Sequence, residues 1–123
     1  MTNAITGVRT VAVPVTDQDR AVEFYVGVLG FDKRLDVPAG RFGGRWVEVA
    51  PAGAATSIAL VQADESAPAG TDTGIRLTTD DASALREELA ARGVEVGELL
   101  RWEGVPPMFV LRDADGNGLV VVE

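Results

Sequence analysis

The side chains in this sequence that could do chemistry are nearly all carboxylates. The chain has no Cys and no His, and it sets 19 Asp+Glu against 11 Lys+Arg, for a formal charge of −8. A thiolate nucleophile, an imidazole base, a Ser-His-Asp triad, a disulfide framework and a Cys/His zinc site are thereby excluded. A metal held by carboxylates, carbonyls and water would be Ca²⁺ or Mg²⁺. The run Asp113-Ala114-Asp115-Gly116-Asn117-Gly118 fits the opening of a Ca²⁺ loop. That loop needs a helix on each side and a bidentate Glu at its twelfth position. Both flanks read as strands and position twelve would be residue 124, so a hairpin turn rich in Asp, Asn and Gly is expected. Without a metal, base catalysis would fall to Glu48, a single carboxylate. An acidic chain is a poor polyanion binder, so no nucleic-acid partner is expected.

These residues must be positioned by short alternating segments. With 123 residues, 46% hydrophobic and 24% charged, the chain reads as one globular domain. Val11, Val13 and Val15 alternate with Thr10, Ala12 and Pro14, the period of a strand, and Pro14 marks an edge. Thr16-Asp17-Gln18-Asp19 starts a helix with a hydroxyl cap, and Gly30 closes it. Phe31 to Val37 reads as a strand, Pro38 to Gly44 as a loop, Arg45 to Val49 and Ser57 to Gln62 as strands. Ala63 to Thr71 reads as a linker. Then come a strand at Gly74 to Thr78 and a helix from Asp80-Asp81 to about Arg92, with Gly93 after it. Val94 to Arg101 is strand-like, Val105-Pro106-Pro107 a loop, and Met108 to Arg112 and Leu119 to Glu123 strands. No run approaches the roughly 18 apolar residues that cross a bilayer, so no membrane partner is expected. Met1 to Gly7 does not read as a signal peptide, and the expected location is the cytoplasm.

The second half repeats the first. Val11-Ala12-Val13 aligns with Ile75-Arg76-Leu77, Asp17 with Asp81, Gly30-Phe31 with Gly93-Val94, and Trp46-Val47 with Phe109-Val110. A duplicated βαβββ unit is the economical explanation.

Two such units in one chain resemble the vicinal-oxygen-chelate family, which includes glyoxalase I, bleomycin-resistance proteins and extradiol dioxygenases. The residues that carry the likeness are Val11 to Asp17, Phe24-Tyr25, Leu29-Gly30-Phe31 and Phe109 to Asn117. The resemblance implies an α+β fold of two tandem βαβββ modules, curled mixed sheets around a cavity. Module one would span about 6–62, the linker about 63–71 and module two about 72–123, all within a single domain of 1–123. The family's enzymes carry metal ligands on the inner sheet face, at positions that fall here on Thr10, Ala59, Gly74 and Val120. Ala, Gly and Val have no donor, and a lone Thr hydroxyl does not hold a divalent ion. No metal and no cofactor are therefore expected.

In that fold one sheet face packs on helices and the other lines the cavity. Alternation assigns Val11, Val13, Ile75, Leu77, Val47, Val49, Met108, Val110, Leu119 and Val121 to the helices. Thr10, Ala12, Trp46, Glu48, Ala59, Arg76, Thr78, Phe109, Leu111, Val120 and Val122 then face the cavity, with Trp102 at its rim. Trp46 and Phe109 would be equivalent aromatics, and Glu48 and Arg76 would supply opposite charges. The expectation is a metal-independent protein that binds a hydrophobic, aromatic or cationic small molecule, such as an antibiotic, through Thr10, Trp46, Glu48, Ala59, Arg76, Trp102, Phe109 and Val120. The resemblance also implies a homodimer, arm-exchanged or side by side. The alternative is a glyoxalase-like lyase or isomerase, or a dioxygenase-type enzyme.

Overall fold

Alternating apolar residues build most of the backbone. The computed structural model describes residues 4–123, so Met1, Thr2 and Asn3 of the expected start lie outside the described residues. The strands are β1 (Thr10–Val15), β2 (Asp32–Pro38), β3 (Arg45–Ala50), β4 (Ser57–Gln62), β5 (Asp72–Thr78), β6 (Glu95–Val96), β7 (Leu100–Trp102), β8 (Val105–Arg112) and β9 (Gly118–Val122). Helix α1 (Gln18–Val22) runs on into a π turn at Glu23–Val28, and α2 spans Ala82–Ala91. Two mixed sheets result. One has four strands in the order β1-β4-β3-β2, and the other runs β5-β9-β8-β6 with β7 also on β8. In each, a parallel pair (β1 with β4, β5 with β9) closes the βαβββ unit.

Asp17 caps α1 by accepting from the Arg20 N–H at 3.0 Å, and Asp81 caps α2 by accepting from Ala84. The cap of α1 is thus the Asp17 carboxylate, not the Thr16 hydroxyl, which bonds Asp115 instead. Gly30 and Gly93 end the two helices with φ of +79° and +84°, a conformation that L side chains resist. The two helical segments differ by one residue, and the π turn holds the extra one. Leu29 N–H donates to Phe24 O five residues back. The closing bond spans six residues in the first unit, Phe31 N–H to Tyr25 O, and five in the second, Val94 N–H to Leu89 O. A π turn is the usual way for a helix to absorb an insertion without losing its later register.

One face of each sheet is buried in a common core. Val13, Val15, Val47, Val49, Ile58 and Leu60 come from the first unit, and Leu89, Phe109, Leu111, Leu119 and Val121 from the second. Each such side chain contributes about 1.5–3 kcal/mol on burial. Tyr25 sits among them, edge-on to Phe24 and Phe31 at 5.5 and 5.8 Å between ring centres.

The second half departs from expectation in three places. The strand expected over Val94–Arg101 is broken. Four steps from Val96 to Leu100 oppose three from Leu111 to Met108, a one-residue bulge. Val105-Pro106-Pro107, expected as a loop, belongs to β8. The ladder there asks only for an acceptor, and Pro107 O takes the Glu123 N–H at 3.0 Å. The third departure concerns the faces of β8. Phe109 pairs with Val121 and Leu111 with Leu119, so both lie on the core face. Met108 and Val110 take the opposite face. Val47 is therefore the counterpart of Phe109, and Trp46 that of Met108.

Candidate functional site

The sheet faces turned away from the core carry the candidate site. In β3, alternation buries Val47 and Val49 and turns Trp46 and Glu48 outward. Register then sets their neighbours: Ala59 and Leu35 beside Glu48, Val37 beside Trp46, Ala12 beside Ala59, and Ser57 beside Thr10. Thr10, Trp46, Glu48 and Ala59 thus share one face.

Glu48 is the chemical centre of that face, and it is only 5% exposed. Its Oε1 accepts the Ser57 hydroxyl at 2.8 Å. Its Oε2 accepts the Trp46 indole N–H at 2.8 Å and faces the Arg9 guanidinium at 3.4 Å. The Trp46 bond first, then Ser57 and Arg9, hold the Glu48 carboxyl below its ordinary range, against the opposing effect of burial. A carboxylate so committed is a poor proton acceptor, which weighs against Glu48 as a base. Trp46 keeps 37% of its surface exposed, and Val37 beside it 42%.

On the second sheet the corresponding face carries Arg76, Val110, Val120, Met108 and Val122. Arg76 is exposed and, among the described residues, bonds only the Gly74 carbonyl, at 3.2 Å. It does not pair with Glu48, which takes Arg9 instead. Leu100 pairs with Met108, and Leu100 and Trp102 are both exposed. The expected set is therefore split. Thr10, Trp46, Glu48 and Ala59 lie on the first sheet, and Arg76 and Val120 on the second, with Trp102 on its edge strand. Phe109 is fully buried in the core, on the opposite face from Trp46. Arg9, Ser57, Leu35 and Val37 were missed. The pairing of Ser57 with the strand that holds Thr10 is set by register, which no local pattern announces.

The run that resembled a Ca²⁺ loop joins the two units. Asp113 Oδ1 accepts the Asp115 and Asn117 N–H groups, both at 2.9 Å. Its Oδ2 accepts the Tyr25 hydroxyl at 2.8 Å and Asn117 Nδ2 at 3.0 Å. Asp115 takes Thr16 and Arg20, and Asn117 reaches Pro14 O and the Gly70 and Thr71 N–H groups. Burial, then Asp113, push the Tyr25 phenol far up, so it stays a donor. Among the described residues, no group of three or more Asp or Glu side chains is placed to hold a metal ion.

A concavity of about 690 Å³ lies elsewhere, on the helix side, between the end of the π turn, the β3–β4 turn and α2. Leu77, Leu85, Leu89 and Leu111 line it. The charged groups at its wall, Glu88 and Arg92, bond each other at 3.0 Å, and Arg92 also donates to Val28 O, which leaves Thr78 as the other polar residue in its lining. The outward sheet faces, with a fixed Trp and exposed guanidinium groups, are the better candidate.

Comparison with known proteins agrees with this architecture. Residues 7–121 match the Glyoxalase/Bleomycin resistance protein/Dioxygenase superfamily. An uncharacterized protein of Bacillus subtilis (strain 168), YetH, is 34% identical over 117 residues, covering 93% of this chain and 95% of its own. The crystal structure of TnmS3, an antibiotic binding protein from Streptomyces sp. CB03234, is 37% identical with a TM-score of 0.87, covering 98% of each chain. A superfamily member from Sphaerobacter thermophilus DSM 20745 is 32% identical with a TM-score of 0.89, covering 97% of this chain and 98% of its own. With its two βαβββ units, its shared core and these relatives, the chain belongs to the glyoxalase/bleomycin resistance protein/dioxygenase superfamily.

Proposed function

We propose that the protein binds a hydrophobic or aromatic small molecule and sequesters it without chemistry, in the manner of a resistance protein in the cytoplasm. The observation that carries this reading is the state of Glu48. Glu48, the buried carboxylate beside Trp46, is consumed by Trp46, Ser57 and Arg9, so it is not a free base and the Trp46 ring offers a stacking surface. The likeness to TnmS3, an antibiotic binding protein, supports an antibiotic as the ligand. The positions where enzymes of the resembled family hold their metal, Thr10, Ala59, Gly74 and Val120, offer one hydroxyl between them.

A homodimer completes the reading. A single chain leaves Val37, Trp46 and Leu100 exposed on its outward faces and Trp102 exposed on the edge strand β7. A partner whose second sheet faced the first sheet of this chain would shelter them and enclose a cleft with the mostly apolar lining that small-molecule sites share. Thr10, Trp46, Glu48 and Ala59 would then meet Arg76, Val120 and Trp102 of the opposite chain.

Titration of the protein with a panel of antibiotics, followed by Trp fluorescence, tests the proposal. Quenching or a spectral shift with micromolar affinity is expected for some aromatic members. Silence across a broad panel, or turnover of a compound with stoichiometric metal in the purified protein, would overturn it.

A further inference from the structure

The bonding of Glu48 also bears on which ligands the face accepts. A carboxylate on an aromatic face suggests a site for cations, and the net charge of −8 suggests the same. The geometry points the other way. Glu48 is buried to 5% exposure, and both its oxygens already accept bonds. It has no face to offer a cation. Trp46 has one polar hydrogen, on Nε1, and Glu48 takes it. The indole is therefore anchored by its edge, and it leaves an apolar ring surface toward solvent.

Arg9 supplies the donors that remain available. Its side chain is 79% exposed, and the described contact uses one corner of the guanidinium, Nη2, at 3.4 Å from Glu48. Among the described residues, the rest of that five-donor fork makes no hydrogen bond. Its counter-charge is Glu48, and Ala12, Ala59, Leu35 and Val37 around the Trp46–Glu48 pair carry no polar side-chain atom. On the second sheet, Arg76 is again an exposed guanidinium, bonded among the described residues only to a carbonyl. The outward faces thus present exposed guanidinium donors on a chain that is acidic as a whole.

We infer that Glu48 is a positioning residue that holds the Trp46 ring and the Arg9 guanidinium in one arrangement. This makes the face selective for planar aromatic compounds bearing anionic or hydrogen-bond-accepting oxygens, and against cations. The inference rests on the binding reading above and narrows it.

Two fused-ring probes of similar size and opposite charge test it: 2-naphthoate and N-methylquinolinium. The readout is the Trp46 indole N–H resonance in the full-length protein, assigned by its loss in Trp46→Phe. The 2-naphthoate ion should move this resonance with an affinity on the order of tenfold tighter than N-methylquinolinium, the range of a charge-assisted bond. Arg9→Ala, a change at an exposed side chain, should erase that preference. Glu48→Gln is the discriminating variant. Charge alone predicts tighter anion binding once the carboxylate is neutralised. Loss of positioning predicts weaker binding, by roughly fivefold or more, with a displaced Trp46 resonance. Tighter anion binding in Glu48→Gln, or a cation preference in the parent protein, would overturn the inference and leave the binding reading intact. If neither probe moves the Trp46 resonance, the aromatic-binding reading itself fails and takes the inference with it.

Discussion

Two carboxylates, Glu48 and Asp113, are buried and satisfied, and each fixes an aromatic donor: Glu48 the Trp46 indole, Asp113 the Tyr25 hydroxyl. Their roles differ with their place. Glu48 sits on an outward face, where its bonds shape a surface. Asp113 sits between the two units, where its bonds join them. Tyr25→Phe removes one donor from a buried carboxylate and should lower stability by about 1–3 kcal/mol in urea unfolding. A change below about 0.5 kcal/mol would mean that solvent replaces the hydroxyl. Glu48 predicts a pH effect. Its native carboxyl titrates below the ordinary value of 4.5, so the folded state binds its proton less readily than the unfolded chain. That stability is present in full above the unfolded value and is lost as pH falls through the lower native one. The stability difference between the parent protein and Glu48→Gln should therefore shrink as pH is lowered from 6 toward 3. A difference that stays constant would show that the carboxyl titrates normally.

At the scale of elements, the phase of β8 and the π turn matter most. Met108, Phe109, Val110 and Leu111 are apolar on both faces of the strand, so period two is present but its phase cannot be read. Pairing with β9 decides it. Phe109→Ala should cost about 3–5 kcal/mol, the range for a large core side chain. Met108→Ala on the outward face should cost far less, and equal losses would refute the assignment. Strand β3 had no such ambiguity, because Glu48 breaks the apolar run and marks its own face. The π turn invites a deletion. Removing Gly27, around which an added Cβ would find open space, should leave a folded protein whose first helix is α-helical throughout, like α2. Circular dichroism and a crystal structure would check it, and an unfolded product would show that the extra residue is needed to seat Tyr25.

For the whole molecule, the clamp of Asp113, Asp115 and Asn117 on Tyr25, Thr16, Arg20 and Pro14 O makes the two units one body with one core. The outward faces are what that body leaves uncovered. If two copies cover them, sedimentation should give twice the mass of the chain. Leu100→Asp combined with Trp102→Glu should then yield a folded monomer with weakened ligand binding. A parent protein that sediments as a monomer at high concentration would remove the dimer from the proposal.

The sequence by itself determined the two βαβββ units, the starts and closing glycines of both helices, most of the strands, and the lack of ligand side chains at Thr10, Ala59, Gly74 and Val120. These follow from local chemistry: periodicity, φ preference and the donor inventory of each residue. The tertiary structure alone decided that Phe109 is core, that Glu48 bonds Arg9 and Ser57 and not Arg76, that the Ca²⁺-like turn is a clamp, and that the site residues divide between two sheets. Each of these depends on strand register or on partners far apart along the chain. Arg9 lies 39 positions from Glu48 and Tyr25 lies 88 from Asp113. No window of sequence contains both members of such a pair, and a hydrogen bond has no energy until folding brings its donor to its acceptor.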